Sequence, residues 1–83
     1  MRLVYFAWVR ERIGLADETV DVPAEVATVG DLIGWLRRRG EQYENALGEP
    51  AGIRVALDQT HADLAAPLAG AREVALFPPM TGG

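Results

Sequence analysis

The sequence predicts a single α+β domain, a small sheet with one main helix packed across it. Three observations carry that expectation. Short apolar or alternating segments lie towards both ends of the chain, which suits strands. One strongly amphipathic helical pattern lies between them. The length, 83 residues with 49% hydrophobic side chains, suffices for one core and not for two.

The run from Arg2 to Val9 is rich in aromatic and β-branched residues and reads as a first strand, apolar on both faces. Gly14 to Asp17 forms a turn, and Thr19 to Val22 alternates apolar with polar before Pro23, predicting a second strand paired with the first as a hairpin. Thr28 then supplies an N-cap, with Asp31 three residues on. Val29, Leu32, Ile33 and Leu36 follow at i, i+3, i+4 and i+7, one apolar stripe of a helix. Arg37, Arg38 and Arg39 suit its negative C-terminal end, and Gly40 reads as its C′ residue. Gly34 within the helix suggests a close backbone approach. Glu41 to Leu47 reads as a shorter helix ending at Gly48. Gly52 to Leu57 alternates, with Ile53, Val55 and Leu57 on one face. Asp58-Gln59 then turns the chain into a short strand near Thr60-His61-Ala62. Pro67 and Gly70 punctuate a loop, Glu73 to Phe77 is the final strand, and Pro78-Pro79 stops it.

Composition removes several function classes. There is no Cys, hence no disulfide framework, thiolate metal site or cysteine nucleophile. A formal net charge of -4 disfavours nucleic acid and anionic membranes as partners, because both demand positive surface. The longest apolar stretch, Leu3 to Val9, is far too short to span a bilayer and has no small-residue cleavage site after it. The expectation is a cytoplasmic protein. His61, the only His, lies near Asp58 and Asp63, but one His without Cys is thin ligation for a transition metal, so no metal site is expected. Arg37 to Arg39 read as a solvated helix end. No P-loop, dinucleotide fingerprint or nucleophile elbow is present.

The most informative segment is Phe77-Pro78-Pro79-Met80-Thr81-Gly82-Gly83. At the chain's own glycine content, 9 of 83, two closing glycines arise by chance about once in a hundred. Two prolines stiffen an exit from the last strand, and two residues without Cβ fit a channel too narrow for any side chain. The chain thus divides into a domain over residues 1–77 and an extended tail over 78–83. The tail would deliver an α-carboxylate, ionised at neutral pH and a poor electrophile until a partner activates it, most simply as an acyl-adenylate.

The ending Phe-Pro-Pro-x-Thr-Gly-Gly resembles that of the MoaD family, the small subunit of molybdopterin synthase. The opening Phe6-Ala7-Trp8-Val9-Arg10-Glu11 resembles that family's Phe-Ala-x-Val-Arg-Glu segment, and the likeness extends over essentially the whole chain. The resemblance implies a ubiquitin-like β-grasp fold with a mixed sheet. It implies that Gly83 is adenylated by an E1-like enzyme using ATP and converted to a thiocarboxylate with sulphur from a sulphur-transfer protein. Thr81, Gly82 and Gly83 would then enter the large subunit of the synthase, where sulphur passes to cyclic pyranopterin monophosphate. No cofactor is bound by the chain itself, and the catalytic side chains are expected on the large subunit.

With the first and last strands side by side, as that fold places them, strand alternation turns Leu3, Tyr5 and Ala7 inward and Val4, Phe6 and Trp8 outward. Val74 and Leu76 turn inward, Ala75 and Phe77 outward. Phe6, Trp8 and Phe77 would form an exposed aromatic patch beside the tail, joined by His61, and with Pro78, Pro79 and Met80 make the partner interface. Other readings stay open: a sulphur carrier for thiamine or tRNA thiolation, a protein modifier, or a plain interaction module. Every basic residue is Arg, so the chain offers no lysine for building polymers of itself.

Overall fold

A computed structural model describes residues 1–49 and 52–79. The chain runs β1 (Arg2–Tyr5), α1 (Ala7–Ile13), β2 (Asp17–Thr19), α2 (Val29–Arg37), α3 (Glu41–Leu47), β3 (Arg54–Leu57), β4 (Thr60–Ala62) and β5 (Glu73–Phe77). The five strands form one mixed sheet in the order β2-β1-β5-β3-β4. Its centre is the parallel pair β1 and β5, with Leu3 opposite Val74 and Tyr5 opposite Leu76; the other pairs are antiparallel. This is the ubiquitin-like β-grasp arrangement, an α+β fold as expected.

One face of the sheet meets the helices. Leu3, Tyr5, Val55, Val74 and Leu76 are buried there, together with Leu32, Ile33 and Leu36 of α2 and Leu47 of α3. Helix α2 starts as its sequence directs. Thr28 Oγ1 accepts from the Asp31 N–H at 3.1 Å, and the Asp31 carboxylate accepts from the Thr28 and Ala27 N–H groups, both at 3.2 Å. Those backbone bonds hold the Asp31 carboxyl below the usual carboxylate range. The next two orphan donors of the helix, the N–H groups of Val29 and Gly30, bond the carbonyls of Ala66 at 3.0 Å and Leu64 at 2.9 Å, so the long β4–β5 loop also seats α2.

The β3–β4 connection is a two-residue turn with positive φ at both Asp58 (48°) and Gln59 (71°), the mirror-type turn that suits the twist of a hairpin. Asp58 is further held because its Oδ1 accepts from the N–H groups of Arg72 at 3.0 Å and Glu73 at 2.9 Å.

Four expectations are corrected. The first strand ends at Tyr5, and Ala7 to Ile13 is helix. Ala7 takes a left-handed φ of 51°, turning the chain out of the sheet. Val9 and Ile13, four apart, are buried, and Gly14 closes the helix at φ 88° with its N–H on the Arg10 carbonyl. The β1–β2 connection is therefore a helical excursion, although the two strands do pair as expected. The second strand lies at Asp17–Thr19, two residues earlier than its apolar alternation suggested. Gly40 is the N-cap of α3, while α2 ends at Arg37 with Arg38 as its C-cap. Gly34 faces open space, since a Cβ there would meet nothing within 4 Å, so no close approach explains it.

Candidate functional site: the outer sheet face and the root of the tail

No described helix or strand covers the face of the sheet away from the helices, and strand register dictates what it shows. One row across it is Val4, Ala75, Ala56 and His61; the next is Phe6, Phe77 and Arg54. The Phe6 N–H donates to the Leu76 carbonyl at 3.1 Å, which fixes Phe6 beside Phe77 although β1 has ended. The two rings pack edge to face with centroids 6.5 Å apart, and His61 meets Phe77 from the other side at 5.7 Å. Phe6 is 48% exposed, the most exposed large hydrophobic side chain among the described residues. Phe77 is half-buried, and His61 is exposed.

β5 runs parallel to β1, so the chain leaves the sheet at the same end as this aromatic cluster. Pro78 is half-buried and Pro79 exposed. Met80, Thr81, Gly82 and Gly83, the heart of the expected site, lie outside the described residues.

Trp8 does not join the patch. It sits on α1, half-buried against the core, with the Arg12 guanidinium 4.4 Å from its ring centroid. The strand alternation that would have turned it outward beside Phe6 stops at Tyr5, and the helical turn at Ala7 carries the indole towards α3. Ala7, expected inside, is exposed. No cluster of three His, Asp or Glu able to hold a metal occurs among the described residues. Asp58 is engaged by backbone donors, and Asp63 accepts from the Ala65 N–H. Among the described residues no helix is long and apolar enough to cross a membrane.

A polar cluster that the sequence did not suggest lies on the inner face. Glu18 Oε2 accepts from the hydroxyls of Tyr5 at 2.7 Å and Tyr43 at 2.6 Å, and its Oε1 accepts from Arg39 Nη1 at 3.1 Å. Burial opposes ionisation of this carboxyl, but the bonds from Tyr43, Tyr5 and Arg39 outweigh it and hold it below the usual carboxylate range. Burial, with donation to Glu18, pushes the Tyr5 phenol well above its ordinary value. One carboxylate thereby ties β1, β2, α3 and the α2–α3 link together. Both Glu18 carboxylate oxygens are thus engaged within the chain.

What the outer face can do is bind. It offers rings, a histidine and an arginine around a strand end, and holds no nucleophile with an adjacent base.

The family model described as the ThiS family matches residues 3–83. The Escherichia coli molybdopterin synthase sulfur carrier subunit is 34% identical over 83 residues, which cover 100% of this chain and 99% of the relative. The protein of the same description from Haemophilus influenzae is 31% identical over the same shares. Among solved structures, small archaeal modifier protein 1 of Haloferax volcanii is similar at a TM-score of 0.72 with 30% identity, covering 96% of this chain and 97% of that one.

Proposed function

The chain belongs to the ThiS family, and from that membership we propose that it is a sulphur carrier for molybdenum cofactor biosynthesis, the small subunit of a molybdopterin synthase. One observation carries the reading. The likeness to a protein of that role runs the full length of the chain and includes the terminal Thr81-Gly82-Gly83.

The chemistry follows from the carboxylate at Gly83. An E1-like enzyme joins it to the AMP portion of ATP, releasing pyrophosphate. The terminal sulphur of a persulfide on a sulphur-transfer protein then attacks the acyl carbon; the acyl–phosphate bond breaks, AMP departs, and a thiol reduces the S–S bond of the resulting acyl disulfide, which leaves a thiocarboxylate on Gly83 and a thiol on the donor. On the large subunit the face built from Phe6, His61 and Phe77, continued by Pro78, Pro79 and Met80, docks. Thr81, Gly82 and Gly83 enter the active site, where the thiocarboxylate sulphur bonds to cyclic pyranopterin monophosphate; water then cleaves the acyl carbon–sulphur bond, which leaves the sulphur on the substrate and returns Gly83 to a carboxylate. This chain contributes the reacting carbonyl and its placement, while the large subunit contributes the acids and bases. The outer face supports that division, because its exposed rings lie at the end where the tail departs.

The likeness to a small archaeal modifier protein favours a second reading, attachment of Gly83 to amines of other proteins. Incubation with an E1-like enzyme, ATP and a sulphide source, followed by intact and tandem mass spectrometry, separates the two. A carrier exchanges one oxygen for sulphur at Gly83; the exchange must be mapped there, since oxidation of Met80 gives nearly the same mass. A chain that stays unmodified in the presence of a competent activating enzyme overturns the carrier reading. In cells, Gly83 recovered in isopeptide linkage to other proteins would favour the modifier.

A further inference from the structure

The two ends of the outer face differ in charge. At the end where β1 begins, Arg2 lies 4.0 Å from both Asp17 and Glu73, so its charge is answered within the chain. At the end where the tail departs, Arg54 stands directly opposite Phe77 in the β3–β5 register. It is exposed, and no carboxylate of the described residues lies within 4 Å of its guanidinium. In a chain of net charge -4, this is a local positive site beside the half-buried Phe77 ring and its exposed neighbour Phe6.

Directly opposed residues on antiparallel strands hold their Cβ atoms about 5 Å apart. A surface that covers Phe6 and Phe77 therefore strips water from Arg54 as well. A guanidinium keeps its proton under all ordinary conditions, so it must be met by an acceptor or left as a desolvated, unpaired charge. His61 packs on the opposite edge of Phe77 and holds that ring next to the Arg54 strand.

We infer that Arg54 is the specificity residue of this face. It admits partners that combine an apolar socket for Phe6 and Phe77 with a carboxylate at the socket's rim, placed to take the guanidinium fork, and it disfavours purely apolar or basic surfaces. The inference rests on the reading that this face docks onto the large subunit of molybdopterin synthase.

The test is titration of the full chain against the purified large subunit of its own synthase at low and high salt. The variants are Arg54→Gln, Arg54→Glu and, as a control of equal charge change on the helix side of the sheet, Arg38→Glu. Arg54→Gln should bind about tenfold more weakly with a flatter salt dependence, Arg54→Glu more weakly still, and Arg38→Glu near wild type. Changing the facing carboxylate of the large subunit to Arg should restore affinity for Arg54→Glu. Wild-type affinity in Arg54→Gln overturns the inference while leaving the docking reading intact, as does an Arg38→Glu loss equal to that of Arg54→Glu, which would reduce the effect to net charge. A wild-type chain that does not bind the large subunit overturns the docking reading, and this inference with it.

Discussion

Tyr5 and Phe6 are consecutive aromatic residues at the end of β1, and they lead to opposite kinds of structure. Tyr5 points under the helices, fully buried, with its hydroxyl on a carboxylate that also receives Tyr43 and Arg39. Phe6 points the other way, about half exposed, with only the edges of its neighbours for company. The inner region is complete in itself: among the described residues no buried side-chain nitrogen or oxygen lacks a hydrogen-bond partner, and the apolar side chains between sheet and helices are buried. The outer region is incomplete in the sense that its apolar area and its cation have no partner within the described chain. The packed core lies on one side of the sheet and the exposed rings on the other, and a single peptide bond separates them.

The contrast can be broken most severely from the inside. Tyr5→Ala should cost about 4 kcal/mol of unfolding free energy, through the cavity and the lost bond to Glu18, whereas Phe6→Ala should leave the urea midpoint nearly unchanged. Equal losses in the two variants would abolish the distinction. Glu18→Gln comes next, at about 3 kcal/mol, because an amide cannot accept from two hydroxyls and a guanidinium as a carboxylate does. Its signature is the pH dependence. The folded-state Glu18 value lies below the unfolded one, so its contribution is complete above about pH 4.3 and fades as pH falls through the folded value. Stability of the wild type measured from pH 7 downward should fall along an acid limb, and Glu18→Gln should show a shallower one, with the Asp31 contribution remaining.

Outer-face changes should move binding and spare the fold. Phe77→Ala is expected to weaken association with the large subunit by about 1–3 kcal/mol with little change in melting temperature, checked by calorimetry on the same preparation. Phe6→Asp should act likewise, and collapse of the isolated chain instead would show that this ring belongs to the core. The smallest effect concerns neither face. Gly34 faces open space in the middle of α2, so Gly34→Ala should stabilise by about 0.5–1 kcal/mol through the unfolded chain's lost freedom. Destabilisation there would show that the added methyl meets a neighbour within the folded chain, contrary to the open space described.

What the sequence disclosed and what it hid divide along the same physical line. Features written in local spacing were legible: the Thr28–Asp31 box, the apolar stripe of α2, the Asp58-Gln59 turn, and the alternation that turns Phe77 outward. The outward placement of Phe6 followed from alternation along β1, which is two-period up to that residue. Beyond it the run stays apolar but the period changes, and composition does not register a change of period. The spacing of Val9 and Ile13 followed by Gly14 was the available sign that Trp8 belonged to a helix. The Glu18 cluster left no local trace at all. Its partners lie 13, 21 and 25 residues away, and its strand begins earlier than the apolar pattern suggested.

The parallel pairing of β1 with β5 has a consequence for how the molecule comes into being. The strand at the middle of the sheet is the last of the described strands to leave the ribosome, and β1 has no central neighbour until it does. The nascent chain can form α2 early, but closing the sheet waits for contacts about seventy residues apart, a slow, late event in folding. Synthesis and display are thereby coupled. A chain cut short within β5 lacks the strand that joins the two halves of its sheet, so the sheet cannot close before the segment that follows it has been made.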